Sequence, residues 1–295
     1  MKKEETEKAI LAGKIAKQLI EYAKSIAKKS TPLIEIAEKI DEKIIELNAK
    51  PAFPINLSIN EIAAHSTPSY NDETKAHGLL KIDIGIHIDG IIADTAISID
   101  LENSEENKNL IKAAETARDA ALGAISLHSK IREIGAIIEK KCSEFKVQPI
   151  RNLSGHSISP YLLHSGLTIP NFDNSQEIKI TAGLYAIEPF TTLGHGAVKE
   201  DKLSGIYHLE GEGSVRDNFA REVLKFIKEE YKTLPFYSRW IYKKFGTRGL
   251  LALRQIESAE LLHHYPQLIE RSGQKVAQAE HTVLITEKDK IITTA

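Results

Sequence analysis

The sequence has few of the features that mark secreted, membrane or nucleic-acid-binding proteins. A single cysteine, Cys142, rules out an internal disulfide framework and fits a reducing compartment. No stretch approaches the 18 apolar residues of a membrane span, and the first ten residues lack the apolar core of a signal peptide. The formal charge of −2 gives no sign of a nucleic-acid partner. We therefore expect a cytoplasmic protein without a membrane or specific nucleic-acid partner, in which Cys142 is a buried structural thiol.

The 295 residues, 42% of them apolar, have the composition of an ordinary globular protein. Helical periodicity over 5–29 is followed by Thr31-Pro32, which predicts the start of a second helix with Thr31 as its N-cap. Two further helices are expected between Ser104 and residue 143, then strands, and then helix from about 214 to 270. The order favours an α+β fold in which helices cover antiparallel sheet.

A hairpin is the clearest local prediction. In KIDIGIHIDGIIADTAISID, residues 81–100, apolar residues alternate along two runs separated by Asp89-Gly90, a two-residue turn signal. If these two residues form the loop, Asp83 faces Ala96, Asp94 faces Gly85, and both carboxylates share one face. Two adjacent negative charges repel unless one is protonated or a cation lies between them. A solvated outer face is the simpler interpretation, and the hairpin alone does not exclude it.

Four other polar residues also lie within or beside strand-like segments. Taken singly, each has an ordinary explanation as a satisfied core histidine or a solvated strand end. Together, the two aspartates and the two glutamates would carry a formal charge of −4, and one neutral histidine would add a nitrogen ligand. Two divalent cations would neutralise this charge. Oxygen-rich ligation with one nitrogen favours ions such as Mn or Fe(II) over a structural zinc site. The four residues are His65, His156, Glu188 and Glu280.

Five segments, in this order, carry a resemblance to a known family. They are FPINLSINEIAAHSTP, KIDIGIHIDGIIADTA, NLSGHSISPYLLHSG, AIEPF and AEHTVLIT. The sequence resembles the type 2 methionine aminopeptidases of archaea and eukaryotes, over about residues 50–285, and looks like the short archaeal form. The resemblance implies the pita-bread fold, in which two pseudo-related halves enclose a dinuclear metal site. It also implies one catalytic domain over 1–295, with a helical insertion over 200–270.

The resemblance also implies roles for individual residues. Asp83, Asp94, His156, Glu188 and Glu280 would bind two divalent ions, Mn, Fe(II), Co or Zn, with Asp94 and Glu280 bridging them. Glu188 would also accept the proton of the attacking water. His65 and His164 would contact the substrate and stabilise the transition state. The expected lining of the methionine pocket is Phe53, Phe190 and Tyr265.

The expected reaction is removal of the N-terminal methionine from nascent polypeptides by a metal-bridging hydroxide, with a preference for a small second residue. The family also implies a monomer. Departures from the family's usual segments, STPSYNDE after His65 and Ser159 where Gly is common, touch no expected ligand. A ribosome contact through the basic segment 239–248, RWIYKKFGTR, is a separate hypothesis.

Two alternatives remain. An Xaa-Pro peptidase would share the five ligands, but it usually has a separate N-terminal domain, for which the first 50 or so residues are too short. A catalytically inactive relative that binds RNA or protein would lack metal ligands, whereas all five are present here.

Overall fold

The computed structural model describes residues 2–295. Its first part contains two helices and a long hairpin, in the order predicted. The helix predicted over 5–29 covers Lys3–Ile26, and the second begins at Leu33, so that Pro32 rather than Thr31 occupies the N-cap position. The elements are α1 (Lys3–Ile26), α2 (Leu33–Glu46), β1 (Lys50–Pro51), β2 (Asn56–Ile59), β3 (Ile62–Ala64), β4 (Leu79–Ile88) and β5 (Ile91–Asp100).

The hairpin β4–β5 has the predicted register. Ile88 pairs with Ile91, and the loop residues Asp89 and Gly90 have φ values of 48° and 89°, as a tight turn with two positive φ angles requires. The isoleucines at even positions of β4 pack with α1 and α2 in one apolar cluster. This packing fixes which face the aspartates present, because a slip of one residue would turn them towards the apolar cluster instead.

The second part repeats the plan of two helices against antiparallel strands. Helix α3 begins after Ser104, whose hydroxyl accepts the Asn107 N–H as an N-cap. Cys142, on the next helix, is fully buried, as expected, and burial raises the pKa of its thiol to about 12. The elements are α3 (Glu105–Ala124), α4 (Ile131–Glu144), β6 (Gln148–Pro149), β7 (Ser154–Ile158), β8 (Thr168–Pro170), β9 (Gly183–Ile187) and β10 (Phe190–Thr192).

The segment expected to be a helical insertion contains antiparallel strands as well as helices. Helices are present, but the helix predicted up to residue 270 is wrong for 262–270, which pairs with 198–209 as an antiparallel strand. The strand was missed because His, Tyr and Pro fill the middle of this segment, so the sequence shows no alternation of aliphatic and polar residues. The elements are β11 (Val198–Leu209), α5 (Asn218–Glu230), β12 (Phe236–Tyr237), α6 (Ser238–Ser258) and β13 (Leu262–Glu270). The domain bounds, 1–295 and 200–270, stay predictions.

Three short strands close the chain: β14 (Val276–Gln278), β15 (His281–Ile285) and β16 (Lys290–Ile292). They join sheets begun earlier, since β15 pairs with β9 in the five-stranded sheet β16-β15-β9-β7-β8, and β14 pairs with β10. Helices α3 and α4 cover β9 and β15 in a second large apolar cluster, which mirrors α1 and α2 on the hairpin. Within residues 2–295, no helix is long and apolar enough to cross a membrane.

Candidate metal centre

The site lies where the hairpin meets the five-stranded sheet. Glu280, in the link before β15, pairs as an isolated bridge with Ala96 of β5, and its N–H donates to the Ala96 carbonyl at 2.9 Å. Two residues further along, Thr282 Oγ1 accepts the Asp94 N–H and donates to the Asp94 carbonyl, each at 2.8 Å. These backbone contacts place carboxylates from residues nearly 190 positions apart beside each other.

Asp83 and Asp94 lie on one face of the hairpin, opposite Ala96 and Gly85 as expected. The space over Gly85 is occupied by the ring of Phe53, since a Cβ on Gly85 would lie 2.0 Å from Phe53 Cε1. The glycine therefore makes room for a pocket residue rather than for the carboxylate across the ladder.

His156 points its Nε2 at the carboxylates. That atom lies 3.6 Å from Asp94 Oδ2 and 3.6 Å from Glu188 Oε1, outside hydrogen-bond range of both. Ligand atoms of Asp94, His156 and Glu280 all lie within 4.8 Å of one another. Burial, together with the neighbouring His164, lowers the pKa of His156 to about 3, so the ring is neutral and can offer a lone pair.

The four buried carboxylates receive too few hydrogen bonds to offset the cost of burying their charge. Burial raises the pKa of Asp83 to about 7, against one hydrogen bond from Gln278 Nε2 at 3.2 Å. Burial and mutual repulsion hold the pKa values of Asp94, Glu188 and Glu280 well above their usual range. Asp83 Oδ1, Asp94 Oδ1 and Glu280 Oε1 have no hydrogen-bond partner among residues 2–295. Such groups are stable together only if they are protonated or bind cations, so the donor set fits divalent metal ions.

The carboxylates open into a cavity of about 360 Å³. All ten residues selected from the sequence line this cavity, although they are spread along the chain from Phe53 to Glu280. Apolar side chains form much of the wall, as a pocket for an unbranched side chain requires. The ten are Phe53, His65, Asp83, Asp94, His156, His164, Glu188, Phe190, Tyr265 and Glu280. Their individual roles stay predictions.

The two other histidines are held neutral. Burial lowers the pKa of His65 to about 4, while its Nδ1 lies 3.1 Å from the Pro266 carbonyl. The ring of His164 lies edge-on to His156, with centroids 4.3 Å apart, and burial lowers its pKa as well. His263 and His264, within the segment predicted as helix, lie instead on strand β13.

Gln278 was not selected from the sequence. It lies two residues before Glu280 and donates to Asp83, while its backbone pairs with the Ser98 hydroxyl. The spacing of two along an extended segment, which places both side chains on one face, was the available signal.

Comparison with known proteins agrees with this geometry. The model of metallopeptidase family M24 matches residues 7–287. The chain belongs to metallopeptidase family M24. The methionine aminopeptidase of Pyrococcus abyssi is 46% identical over 295 residues, which cover 98% of this chain and 99% of that relative.

Solved structures show the same fold at low identity. A thermophilic Arx1 has a TM-score of 0.83 at 15% identity, covering 99% of this chain and 91% of that one. A methionine aminopeptidase from Rickettsia prowazekii has a TM-score of 0.73 at 20% identity, covering 100% and 98%. The predicted pita-bread fold of this family is confirmed.

Proposed function

We propose that this chain is a methionine aminopeptidase that hydrolyses the first peptide bond of polypeptides beginning with Met. The observation that carries the proposal is the set of buried, under-satisfied carboxylates at the floor of a largely apolar cavity. Identity of 46% along the whole length to an archaeal relative of that name supports the choice within the family.

The metal ligands we propose are Asp83, Asp94, His156, Glu188 and Glu280. Their formal charge of −4 matches two divalent cations, of which Mn, Fe(II), Co and Zn are the candidates. When bound, such ions acidify a water molecule and polarise the scissile carbonyl. Neutral His156 fits this set, since its Nε2 faces the carboxylates without being bonded to either.

The remaining residues of the cavity handle the substrate. Glu188 lines the cavity beside the other proposed ligands, so it is placed to take a proton from the attacking water and pass it to the leaving amine. Neutral His65 and His164 are suited to donate hydrogen bonds to the carbonyl oxygen as negative charge develops on it. Phe53, Phe190 and Tyr265 would surround the methionine side chain, for which the thioether needs an apolar lining.

Several further features of this proposal are expectations that family membership supports. The substrates would be nascent polypeptides in the cytoplasm, with a small second residue preferred, and the enzyme would act as a monomer. Lys243, Lys244 and Arg248 are exposed on α6, which leaves them available for a ribosome contact. The variant K243E/K244E should then lose association with polysomes while it retains peptidase activity.

The test is release of free methionine from Met-Ala-Ser by metal-stripped protein, before and after Mn(II) is added. We expect release only with the metal, none from acetyl-Met-Ala-Ser, and little from Leu-Ala-Ser. No release with any of Mn(II), Fe(II), Co(II) or Zn(II) would refute the proposal. Cleavage of Leu-Pro-Ser in preference to Met-Ala-Ser would favour the Xaa-Pro peptidase instead.

A further inference from the structure

The loop 65–70, which carries His65, is contacted mainly by residues of the segment Val198–Glu270. Residues 65–69 form no regular secondary structure, and His65 has a φ of 59°, a left-handed conformation unfavourable for a side chain with a Cβ. Such a conformation persists only where the surrounding contacts fix it. The contacts that fix this loop therefore decide where the His65 ring points.

Besides the Leu57 N–H, which donates to the Ser66 carbonyl at 2.6 Å, the contacts come from β13, β12 and α6, in that order along the loop. His65 Nδ1 meets the Pro266 carbonyl, and Gln267 Nε2 donates to Ser66 Oγ at 3.3 Å. Further along the loop, the Tyr237 hydroxyl donates to the Thr67 carbonyl at 3.0 Å, the Arg239 guanidinium donates to the Pro68 carbonyl, and the ring of Tyr70 stacks on Tyr242 with centroids 4.0 Å apart.

Arg239 is the centre of this arrangement. It is 3% exposed, and its second terminal nitrogen donates to Asp41 Oδ2, on α2, at 3.1 Å. The same carboxylate oxygen accepts the Trp240 indole N–H at 2.9 Å. One guanidinium thus links helix α2 of the first half, helix α6 and the loop, and its planar fork is suited to hold all three at fixed positions.

We propose that Arg239, fixed by Asp41 and assisted by Tyr237, is a positioning residue that holds residues 65–70 so that His65 faces the cavity. Arg239 does not line the cavity and acts only through the loop. The proposal rests on the proposed function in so far as His65 contacts substrate. The position of the loop itself can be measured without any substrate.

The test combines hydrogen exchange with a double-mutant cycle. Arg239→Lys keeps a positive charge beside Asp41 but cannot reach both partners, and Tyr237→Phe removes only the hydroxyl, so both variants should fold. Amide exchange in peptides covering 65–72 should be about tenfold faster in each, with β4 and β5 unchanged. Arg254→Lys, at an exposed position of the same helix, is the matched control and should match the wild type.

Activity separates positioning from general structural damage. With Met-Ala-Ser, Arg239→Lys should lower kcat/KM about tenfold in the wild-type background and have no further effect in His65→Ala, because the two changes act through one group. Mn(II) affinity should be unchanged. Unchanged exchange at 65–72, faster exchange across the whole chain, or additive losses in the double variant would each overturn the proposal. If the wild type releases no methionine, the proposed function fails, and the exchange data alone decide whether Arg239 holds the loop.

Discussion

Two buried glutamates ten residues apart show what distinguishes the candidate metal centre from the rest of the interior. Glu270 and Glu280 are each 1% exposed. Glu270 accepts four hydrogen bonds, from the His195, Ser272 and Gln274 backbone N–H groups and from the Ser272 hydroxyl. Burial alone would raise its pKa, but these bonds bring it below its usual value.

Glu280 has the opposite environment. Its Oε1 has no partner among residues 2–295, and burial together with Asp94 and Glu188 raises its pKa well above the usual range. Equal solvent exposure thus accompanies opposite pKa shifts: hydrogen-bond donors lower the pKa of Glu270, whereas deeper burial beside other carboxylates raises that of Glu280. The Glu270 carboxylate is satisfied by hydrogen-bond donors of the chain, whereas the carboxylates of the cavity need positive charge from outside the chain.

Removing the two carboxylates one at a time should have the largest and most different effects. Glu280→Gln should lower kcat/KM for Met-Ala-Ser by about a hundredfold or more, because loss of a ligand is at least as damaging as loss of its supporting partners. Glu270→Gln should leave Mn(II) affinity unchanged but lower the free energy of unfolding by about 1–3 kcal/mol. Steady-state kinetics and urea unfolding measure the two effects, and equal kinetic losses would contradict the distinction.

Added metal should stabilise the wild type and the Glu270→Gln variant alike. At a free metal concentration 100 times Kd, binding to the folded state contributes about 2.7 kcal/mol. For a chain of this size that is an upward shift in Tm of several degrees, on the order of 2–4 °C per kcal/mol. Glu280→Gln should show a much smaller shift in the same thermal scans, and a full shift there would show that the metal binds elsewhere.

Asp83 and Glu270 should make contributions to stability that depend on pH with opposite signs. In metal-free protein the raised pKa of Asp83, about 7, means that stability contributed by its protonated form is present below about pH 4 and is lost as pH rises towards 7. Asp83→Asn should therefore gain Tm relative to the wild type between pH 5 and 8. The lowered pKa of Glu270 has the reverse consequence, because its contribution is lost as pH falls.

Differential scanning calorimetry at several pH values tests both signs. The deficit of Glu270→Gln should shrink at acidic pH, while the gain of Asp83→Asn should grow at neutral pH. Parallel pH profiles for the two variants would contradict the opposite pKa shifts.

The smallest expected effect concerns Gln278, whose side-chain amide donates a hydrogen bond to Asp83. Gln278→Met removes the amide that donates to Asp83 Oδ2 while it keeps similar volume. Partners of metal ligands typically contribute 10–100-fold in affinity, and we expect a loss of Mn(II) affinity of about tenfold. Gln274→Met is a suitable control, since only its backbone N–H contacts a carboxylate. Isothermal titration calorimetry would show equal affinities if the Gln278 amide contributes nothing.

The hairpin could be predicted from the sequence because a local pattern determines its geometry. Alternation and the Asp89-Gly90 turn determined the register of the hairpin, so the shared face of Asp83 and Asp94 was predicted correctly. The convergence of His156, Glu188 and Glu280 on that face depends on the Ala96–Glu280 bridge, a contact between distant segments that no local pattern encodes. The family resemblance supplied that step.

The failures also have physical causes. Residues 262–270 were predicted as helix because the aromatic and imidazole side chains of β13 obscure strand alternation, yet pairing with β11 determines the structure. Gly85 was correctly placed opposite Asp94, but no local pattern indicated that the Phe53 ring, more than 30 residues earlier in the chain, packs over it. Both cases are decided by packing between distant segments.

The most direct test of the central claim is the number of Mn(II) ions bound per chain, measured by equilibrium dialysis of chelator-treated protein with Glu280→Gln and Glu270→Gln in parallel. The under-satisfied carboxylates predict two ions for the wild type, two for Glu270→Gln and fewer for Glu280→Gln. Absence of binding to the wild type, or an equal loss in both variants, would contradict the claim that the cavity carboxylates are a metal centre.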